Sequence, residues 1–301
     1  MRDTFSKSLV QWVEKNANVY LLSGDHGYAL FDLLRKEKPE HFINAGVAEQ
    51  NMVGVAAGLA KTDFYPIVYG LSAFIPIRVL EQIKIDFCYE NLPGLFIGDG
   101  AGVVYSHLGA SHQSTEDIAA LRALPNISIL SPCDRYELKA CFEWGVRQKS
   151  PVYLRMGKAD LGDVHSSELS ELGDLPIPVV QTGSKNAIYA TGSMVRPCLD
   201  LVQKKLVDAD LFSVPLLKKS QPISLKQSVQ NYSKIATVEE HSVYGGLGDI
   251  FSEIIAELGT IKLKRFGITN RFSEKCGTYQ YLMQEHGLDS ESLKRKINQW
   301  F

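Results

Sequence analysis

The stretch FINAGVAEQNMVGVAAGLAK, residues 42–61, joins a short apolar run to a segment with the periodicity of a helix. Its apolar side chains recur at the i, i+3, i+4 and i+7 spacing of one helical face: Met52, Val55, Ala56 and Leu59. This spacing predicts a helix over residues 48–61. Glu49 stands in the first turn, ahead of an almost wholly apolar run. From its position alone, this carboxyl group either complements the helix dipole or is held out of water for a functional purpose.

The alternation of apolar runs and helix-like segments extends on both sides of this stretch. Runs typical of buried strands lie at 19–22, 65–70, 94–100, 127–130 and 151–156. Because strands that alternate with helices form a parallel sheet covered on both faces, residues 1–162 are predicted to be one α/β domain.

An acidic, serine-rich stretch with two prolines, residues 163–183, interrupts the alternation and is predicted to be a linker. A second, smaller α/β domain is predicted over residues 184–301. Its strands are expected at 186–192, 209–214, 234–240 and 261–268, and its helices near 194–206, 247–258 and 279–301. The predicted fold class is therefore α/β, with two consecutive domains and mainly parallel sheets.

Composition excludes several classes of protein. The formal net charge of −2 gives no bulk attraction to nucleic acid or to an anionic membrane. No run approaches the ~18 uncharged apolar residues of a membrane span, and the first residues lack the apolar core of a signal peptide. The 5 cysteines are widely spaced and form no CxxC pair, which favours reduced thiols and a cytoplasmic protein.

Four stretches together resemble the transketolases and the deoxyxylulose-phosphate synthases. They are FINAGVAEQNMVGVAAGLAK (42–61), HLGASHQSTEDIAALRALPNISILSPCDRYEL (107–138), PVYLRMG (151–157) and ATVEEHSVYGGLGD (236–249). The resemblance covers nearly the whole chain in the order of the family, a pyrimidine-binding domain and then the transketolase C-terminal domain. It implies an enzyme that depends on thiamin diphosphate.

The resemblance gives Glu49 a definite task. Thiamin diphosphate works through a carbanion at C2 of its thiazolium ring, and its own 4′-amino group removes the C2 proton once the pyrimidine is in the imino form. A carboxyl group that shares a proton with ring atom N1′ promotes that form. Glu49 is the residue that matches this family position.

An aromatic residue of the family covers the pyrimidine face, and Phe74 in YGLSAFIPIRVLEQI matches it. Stacking adds ~0.5–1.5 kcal/mol beyond the burial of area. Two further aromatic positions of the pocket correspond to Leu71 and Ile77, which predicts an apolar but less aromatic pocket. The competing interpretation of Phe74 is an ordinary core phenylalanine.

His112, in Ser-His-Gln, matches a family histidine near the reacting carbonyl group, where it acts as a hydrogen-bond donor or a proton shuttle. Asp25, at the end of the first strand, matches an aspartate near the cofactor, and ligands bind at the carboxyl ends of parallel strands. The competing interpretations are a surface histidine for His112 and a helix cap for Asp25.

One departure from the family bears on the substrate. The family sequence Glu-Asp-Gly, whose aspartate contacts a hydroxyl group of the sugar donor, is His107-Leu108-Gly109 here. A second family histidine corresponds to Gly100. Leu108 therefore predicts a donor or acceptor other than the common ketose phosphates. His107 is a candidate to restore one contact.

Arg155 and Lys158 are the best candidates for binding a substrate phosphate, with Arg2 and Arg78 weaker. For all of them, a solvated or salt-bridged cation is the competing interpretation. Gly98-Asp99-Gly100 with Asn126 imitates the family's metal and diphosphate motif. Asn126 belongs instead to a landmark of the pyrimidine domain, so no metal ligand is predicted.

The diphosphate-binding domain of the family is not among these motifs, although a complete transketolase carries it ahead of the pyrimidine domain. The expected partner is a large subunit that holds the diphosphate and its Mg²⁺ or Ca²⁺, in an α₂β₂ heterotetramer. The chain alone is then expected to be inactive.

Three functions are considered. The preferred one is the small subunit of a transketolase-like enzyme that transfers a two-carbon ketol unit between sugars or sugar phosphates. The second is a subunit of a deoxyxylulose-phosphate-synthase-like enzyme or the β-subunit of a 2-oxo-acid dehydrogenase. The third is a catalytically silent partner.

Overall fold

The computed structural model describes residues 1–158, 160–220 and 225–301. The strands are β1 Val19–Ser23, β2 Phe42–Asn44, β3 Tyr65–Leu71, β4 Gly94–Asp99, β5 Ser128–Leu130, β6 Pro151–Met156, β7 Ile177–Val180, β8 Asn186–Ala190, β9 Asp210–Ser213, β10 Leu216–Lys218, β11 Lys234–Ser242 and β12 Lys262–Ile268. The helices are α1 Arg2–Lys15, α2 Asp32–Glu37, α3 Glu49–Lys61, α4 Leu80–Gln82 with a π-helical continuation Ile83–Tyr89, α5 Asp117–Arg122, α6 Arg135–Gly145, α7 Val195–Gln203, α8 Lys226–Val229, α9 Leu247–Leu258, α10 Tyr279–Glu285 and α11 Ser290–Trp300. Short 3₁₀ turns lie at Ala29–Phe31, Pro39–His41, Ile77–Val79, Ser106–Leu108, Ala110–His112 and Gly192–Met194.

The first sheet has the strand order β10-β5-β6-β4-β3-β1-β2. All its neighbours pair in parallel except β10, which runs antiparallel to β5. Helices α1, α2 and α6 pack on one face and α3, α4 and α5 on the other, each over an apolar cluster. Because both faces are buried, the central strands carry apolar residues without alternation.

The second sheet has the order β12-β11-β8-β9-β7 and is parallel except for β7. Helices α7, α10 and α11 contribute to the apolar cluster on one face. The cluster under α9 on the other face is continuous with the α3–α5 side of the first sheet. The prediction of two α/β domains with mainly parallel sheets is confirmed.

Three local features differ from the prediction. The end of the predicted linker forms β7, an edge strand that includes Pro178, and an edge is where proline is tolerated in a sheet. Strand β10 belongs to the second half of the sequence but pairs with β5 in the first sheet. The predicted helix 279–301 is two helices, because Gly287 takes a positive φ of 65° between them.

Within the described ranges, no helix combines the length and the apolar character needed to cross a bilayer. All five cysteines belong to the described residues, and each is a free thiol.

Candidate active site

The carboxyl ends of four neighbouring parallel strands bring the predicted residues to one edge of the first sheet. The neighbouring strands β4, β3, β1 and β2 end at Asp99, Leu71, Ser23 and Asn44. The chain leaving these ends carries the site residues: His112 after β4, Phe74 after β3, Asp25 after β1 and Glu49 after β2. Ligands of open parallel sheets bind at this edge, so the topology itself assembles a candidate site.

Phe74 lies at the centre of this group. Its ring centroid is 5.3 Å from that of His112, with an interplanar angle of 65°. The ring of His26 lies 6.0 Å away at 36°. The Phe74 side chain is only partly buried, so it is not an ordinary core residue. Two imidazole groups therefore border an aromatic surface that a flat ligand is able to cover.

Glu49 is the first residue of α3, and its side chain is only 3% exposed. Arg78 Nη1 donates a hydrogen bond to Glu49 Oε1 at 2.8 Å. The same guanidinium group lies over the Phe74 ring, with Cζ 3.9 Å from the centroid. Arg78 thus joins the two residues to which the sequence assigned the pyrimidine ring, a contact that sequence reasoning did not foresee.

His26 is a second residue that the sequence reasoning missed. Its Nε2 atom is buried and has no hydrogen-bond partner among the described residues. A buried polar atom without a partner is costly, and a bound ligand would satisfy it. The signal was present in the sequence, because His26 directly follows Asp25 at the end of a buried strand.

Asp25 sits beside this group with its carboxylate engaged elsewhere. Oδ1 accepts hydrogen bonds from the Tyr28 hydroxyl at 2.7 Å and from Asn44 Nδ2 at 3.2 Å. These hydrogen bonds lower the pKa of the Asp25 carboxyl. Asp25 does not cap a helix, because the 3₁₀ turn that follows begins after Tyr28.

Leu71 and Ile77 flank Phe74 along the chain. Leu71 is buried, and its carbonyl oxygen accepts hydrogen bonds from the backbone N–H groups of Phe74 and Ile75. Ile77 is partly buried and begins the 3₁₀ turn that carries Arg78.

His107 and Leu108 are both exposed in the 3₁₀ turn before Gly109, and Leu108 is 55% exposed. A second turn, Ala110–His112, follows directly. Ser111 Oγ lies 3.0 Å from His112 Nδ1. An exposed leucine at this position is available to a substrate rather than required by the core.

The prediction that Arg155 binds a substrate phosphate is wrong. Its side chain is 2% exposed, and Nε donates to Asp117 Oδ2 at 2.8 Å. Nη2 donates to the carbonyl oxygens of Ser114 and Glu240, at 3.2 and 2.8 Å. The strand-end position of Arg155 suggested a ligand site, but its long side chain turns into the junction of the two domains.

Lys158 contacts Asp160 and the ring of Tyr279. Its ammonium group pairs with Asp160 Oδ1 at 2.7 Å and lies 5.5 Å from the centroid of the Tyr279 ring.

The two parts of the sequence that imitates a metal motif, Asp99 and Asn126, hydrogen-bond to different partners. Asp99 Oδ2 accepts a hydrogen bond from the Tyr69 hydroxyl at 2.7 Å, and Asn126 Nδ2 donates to the carbonyl oxygen of Cys88 at 2.9 Å.

Comparison with known proteins agrees with this arrangement of two domains. Residues 1–163 match the family model described as the transketolase pyrimidine binding domain, and residues 177–293 match the transketolase C-terminal domain. The chain is 34% identical over 305 residues to a putative transketolase C-terminal section of Methanocaldococcus jannaschii, covering 99% of this chain and 95% of that protein. It is 32% identical to a subunit of the apulose-4-phosphate transketolase of Actinobacillus succinogenes, covering 86% and 84% of the two chains. A solved structure titled as an inactive β4 tetramer of a split-gene transketolase superposes with a TM-score of 0.86 at 28% identity, covering 99% and 97%.

Proposed function

This chain belongs to the transketolase family, and we propose that it is the small subunit of a two-subunit enzyme dependent on thiamin diphosphate. In this proposal the enzyme transfers a two-carbon ketol unit between sugars or sugar phosphates. The observation that carries the proposal is the meeting of Glu49, Phe74 and His112 at the carboxyl edge of the first sheet. A silent partner would have no need to keep these three side chains together.

The residues present suit the aminopyrimidine half of thiamin diphosphate. The site offers a nearly buried carboxylate, a partly exposed aromatic ring and a buried imidazole nitrogen that lacks a partner in the described part of the chain. A flat heterocycle with ring nitrogens and an amino group would use all three. When bound, the cofactor supplies the nucleophilic carbon for the reaction.

Each side chain of the site has a proposed task. Glu49 holds a proton at N1′ of the pyrimidine, and its near-complete burial keeps water from competing for that proton. Phe74 fixes the plane of the pyrimidine, with Leu71 and Ile77 as apolar neighbours and Asp25 beside them. His112 donates a hydrogen bond toward the reacting carbonyl group of the substrate. Lys158 remains a candidate contact for a substrate phosphate.

A separate large subunit is proposed to carry the diphosphate-binding domain together with Mg²⁺ or Ca²⁺, in an α₂β₂ assembly. Support comes from relatives that correspond to this chain along most of their length and are named as a C-terminal section or as one subunit of a transketolase. The similar split-gene structure is described as inactive in its β4 form.

The proposed substrates are sugars or sugar phosphates that differ from the common ketose phosphates at the carbon facing Leu108. An exposed leucine in place of a carboxylate offers no hydrogen bond to a donor hydroxyl. One relative is named for apulose 4-phosphate, which agrees with varied substrates in this part of the family.

An activity assay tests the proposal. The chain is combined with a large subunit from a split transketolase, thiamin diphosphate and Mg²⁺, and offered ketose phosphates with aldose acceptors. The expected products are a ketose two carbons longer than the aldose acceptor and an aldose two carbons shorter than the ketose donor. They are formed by the mixture and by neither subunit alone. Turnover of pyruvate without transfer from any ketose would instead identify a decarboxylating enzyme.

A further inference from the structure

We propose that Arg78 occupies the pyrimidine position of the cofactor site in the free chain and, through competition, sets the affinity of the chain for the cofactor. The inference rests on the proposed function, because it assumes that the pyrimidine stacks on Phe74 and hydrogen-bonds to Glu49. The Arg78 guanidinium already makes both contacts, at 2.8 Å to Glu49 Oε1 and with Cζ 3.9 Å from the centroid of the Phe74 ring.

The two contacts place the guanidinium where the ligand ring is expected. A separation of 3.9 Å is a stacking distance, so no second flat group fits between Arg78 and Phe74. A ring that stacks on this face of Phe74 and reaches Glu49 needs the space that the guanidinium fills. Guanidinium is planar, carries N–H donors at its edge and stacks on aromatic faces, so it resembles an aminopyrimidine in shape and in hydrogen bonding.

The backbone turn from Phe74 to Arg78 places the guanidinium group over the Phe74 ring. Arg78 follows Phe74 by four residues, and its backbone N–H donates to the Phe74 carbonyl oxygen at 3.1 Å. This hydrogen bond closes the turn that leads into the 3₁₀ helix, so the long side chain reaches back over the ring. Gln50 Nε2 also donates to the Arg78 carbonyl oxygen at 3.4 Å, which links this turn to the start of α3.

Arg78 and the cofactor are able to replace each other as the partner of Glu49. The Arg78 side chain is 43% exposed and can swing into water, where a guanidinium is well solvated. Glu49 is 3% exposed and needs a partner at all times, which Arg78 supplies before the cofactor arrives and the pyrimidine supplies afterwards. The apparent Kd for the cofactor is then the intrinsic Kd divided by the fraction of molecules in which Arg78 has left the site.

The test uses the full chain and thiamin without its diphosphate, since the diphosphate contacts are assigned to the large subunit. Binding is followed by nuclear magnetic resonance titration of wild type, Arg78→Ala and Arg78→Gln. Arg135→Ala is the matched control, because Arg135 also lies over a ring, that of Tyr136 at 4.7 Å, and pairs with a carboxylate, that of Asp163 at 3.0 Å. Arg78→Ala is expected to lower the Kd for thiamin by about tenfold, since removal of a stacked and paired cation frees the site. Arg135→Ala leaves the Kd unchanged.

The side-chain Nε–H resonance of Arg78 provides a readout that needs no ligand. In wild type we expect this resonance to be shielded by the ring current of Phe74, because Arg78 Cζ lies 3.9 Å from the ring centroid. We expect the shielding to be lost in Phe74→Leu and on saturation with thiamin. Equal or weaker thiamin binding by Arg78→Ala, or shielding that persists at saturation, overturns the inference. Failure of every variant to bind thiamin, with the Arg78 shielding intact, overturns this inference. The proposed function fails separately, if the mixture with the large subunit transfers no two-carbon unit.

Discussion

At the scale of single residues, Glu49 depends on its surroundings for any chemical role. It begins α3 with a nearly buried carboxylate whose partner, Arg78, lies on the turn after Phe74. Gly24 lies beside it, and a Cβ added there would be in ordinary van der Waals contact with Glu49 Cγ, at 3.5 Å. The strand end, the helix start and the Phe74 turn therefore fix one carboxyl group in one place.

Replacing Glu49 by glutamine in the assembled enzyme keeps the shape of the side chain but removes the shared proton. We expect cofactor affinity to be largely retained and activity to fall by about 10²- to 10⁴-fold, the usual effect of losing acid–base assistance. Deuterium exchange at C2 of the bound cofactor measures this step directly. Exchange at the wild-type rate in Glu49→Gln would remove Glu49 from the mechanism.

Leu108→Asp tests the proposed substrate class. A well-placed charged hydrogen bond contributes roughly 1.5–3 kcal/mol, so the variant is expected to gain about tenfold or more in relative kcat/KM for common ketose phosphates over deoxy or epimeric donors. His107→Ala is the companion variant, because His107 lies in the same exposed turn. If His107→Ala impairs ketose-phosphate turnover while Leu108→Asp only lowers activity, recognition belongs to His107.

Some of the site residues were predictable from the sequence, whereas the contacts of long side chains were not. Glu49, Phe74 and His112 were predicted from motifs, and the topology brings them together. The contacts of Arg78 and the burial of Arg155 were not predictable, because a long side chain reaches several ångströms from its backbone position. Only the packing of neighbouring elements decides whether such a side chain meets a ligand, a carboxylate or a second domain.

At the scale of secondary-structure elements, the apolar runs predicted the central strands closely, because strands buried on both faces are mostly apolar. Strands β2, β7 and β10 were missed, since they are short or lie at sheet edges, where burial no longer controls composition. The pairing of β10 with β5 joins segments far apart in the chain, and no local pattern encodes it.

The start of the predicted linker is attached to helix α6 through two acidic residues. Asp134 caps α6 through Oδ1 and accepts hydrogen bonds from the backbone of Val164 and His165 through Oδ2, at 2.9 and 2.8 Å. His165 Nε2 lies 2.8 Å from Glu137 Oε1. Burial acts to lower the pKa of His165, but the hydrogen bond and charge of Glu137, with the charge of Asp134, outweigh it and hold the pKa above its usual value.

This attachment predicts a dependence of stability on pH. A histidine with a raised pKa in the folded state stabilises fully below its unfolded value near 6.5, and the contribution is lost as the pH rises through the higher folded value. Urea unfolding of wild type and His165→Gln between pH 5.5 and 8.5 measures it. The variant is expected to be less stable at the acid end, by about 1 kcal/mol, and to converge with wild type at the alkaline end. A constant difference across the range would contradict the assignment.

At the scale of the whole molecule, buried charges join the two domains. Arg155 of the first domain, paired with Asp117, donates a hydrogen bond to the carbonyl oxygen of Glu240. Glu240 Oε1 in turn accepts a hydrogen bond from the Val103 backbone at 2.8 Å. Burial raises the pKa of Glu239 to about 7 and lowers that of His241 to about 4. The Glu239-Glu240-His241 sequence, part of the stretch ATVEEHSVYGGLGD, lies at this junction.

Arg155→Leu is expected to cost about 3–5 kcal/mol of unfolding free energy, because it leaves Asp117 buried without its cation. Lys139→Ala is the control. It removes a pair with Glu168 that is far more exposed, and it is expected to cost about 1 kcal/mol or less. Urea unfolding compares the two. Equal costs would mean that the buried pair does not hold the domains together.

We propose that this chain supplies half of a thiamin diphosphate site. Calorimetric titration of the cofactor with Mg²⁺ into this chain, into the large subunit and into their mixture tests the proposal. We expect tight binding in the mixture, together with weak binding and no turnover for this chain alone. Tight binding of thiamin diphosphate by this chain alone would show that the site is not divided between two subunits.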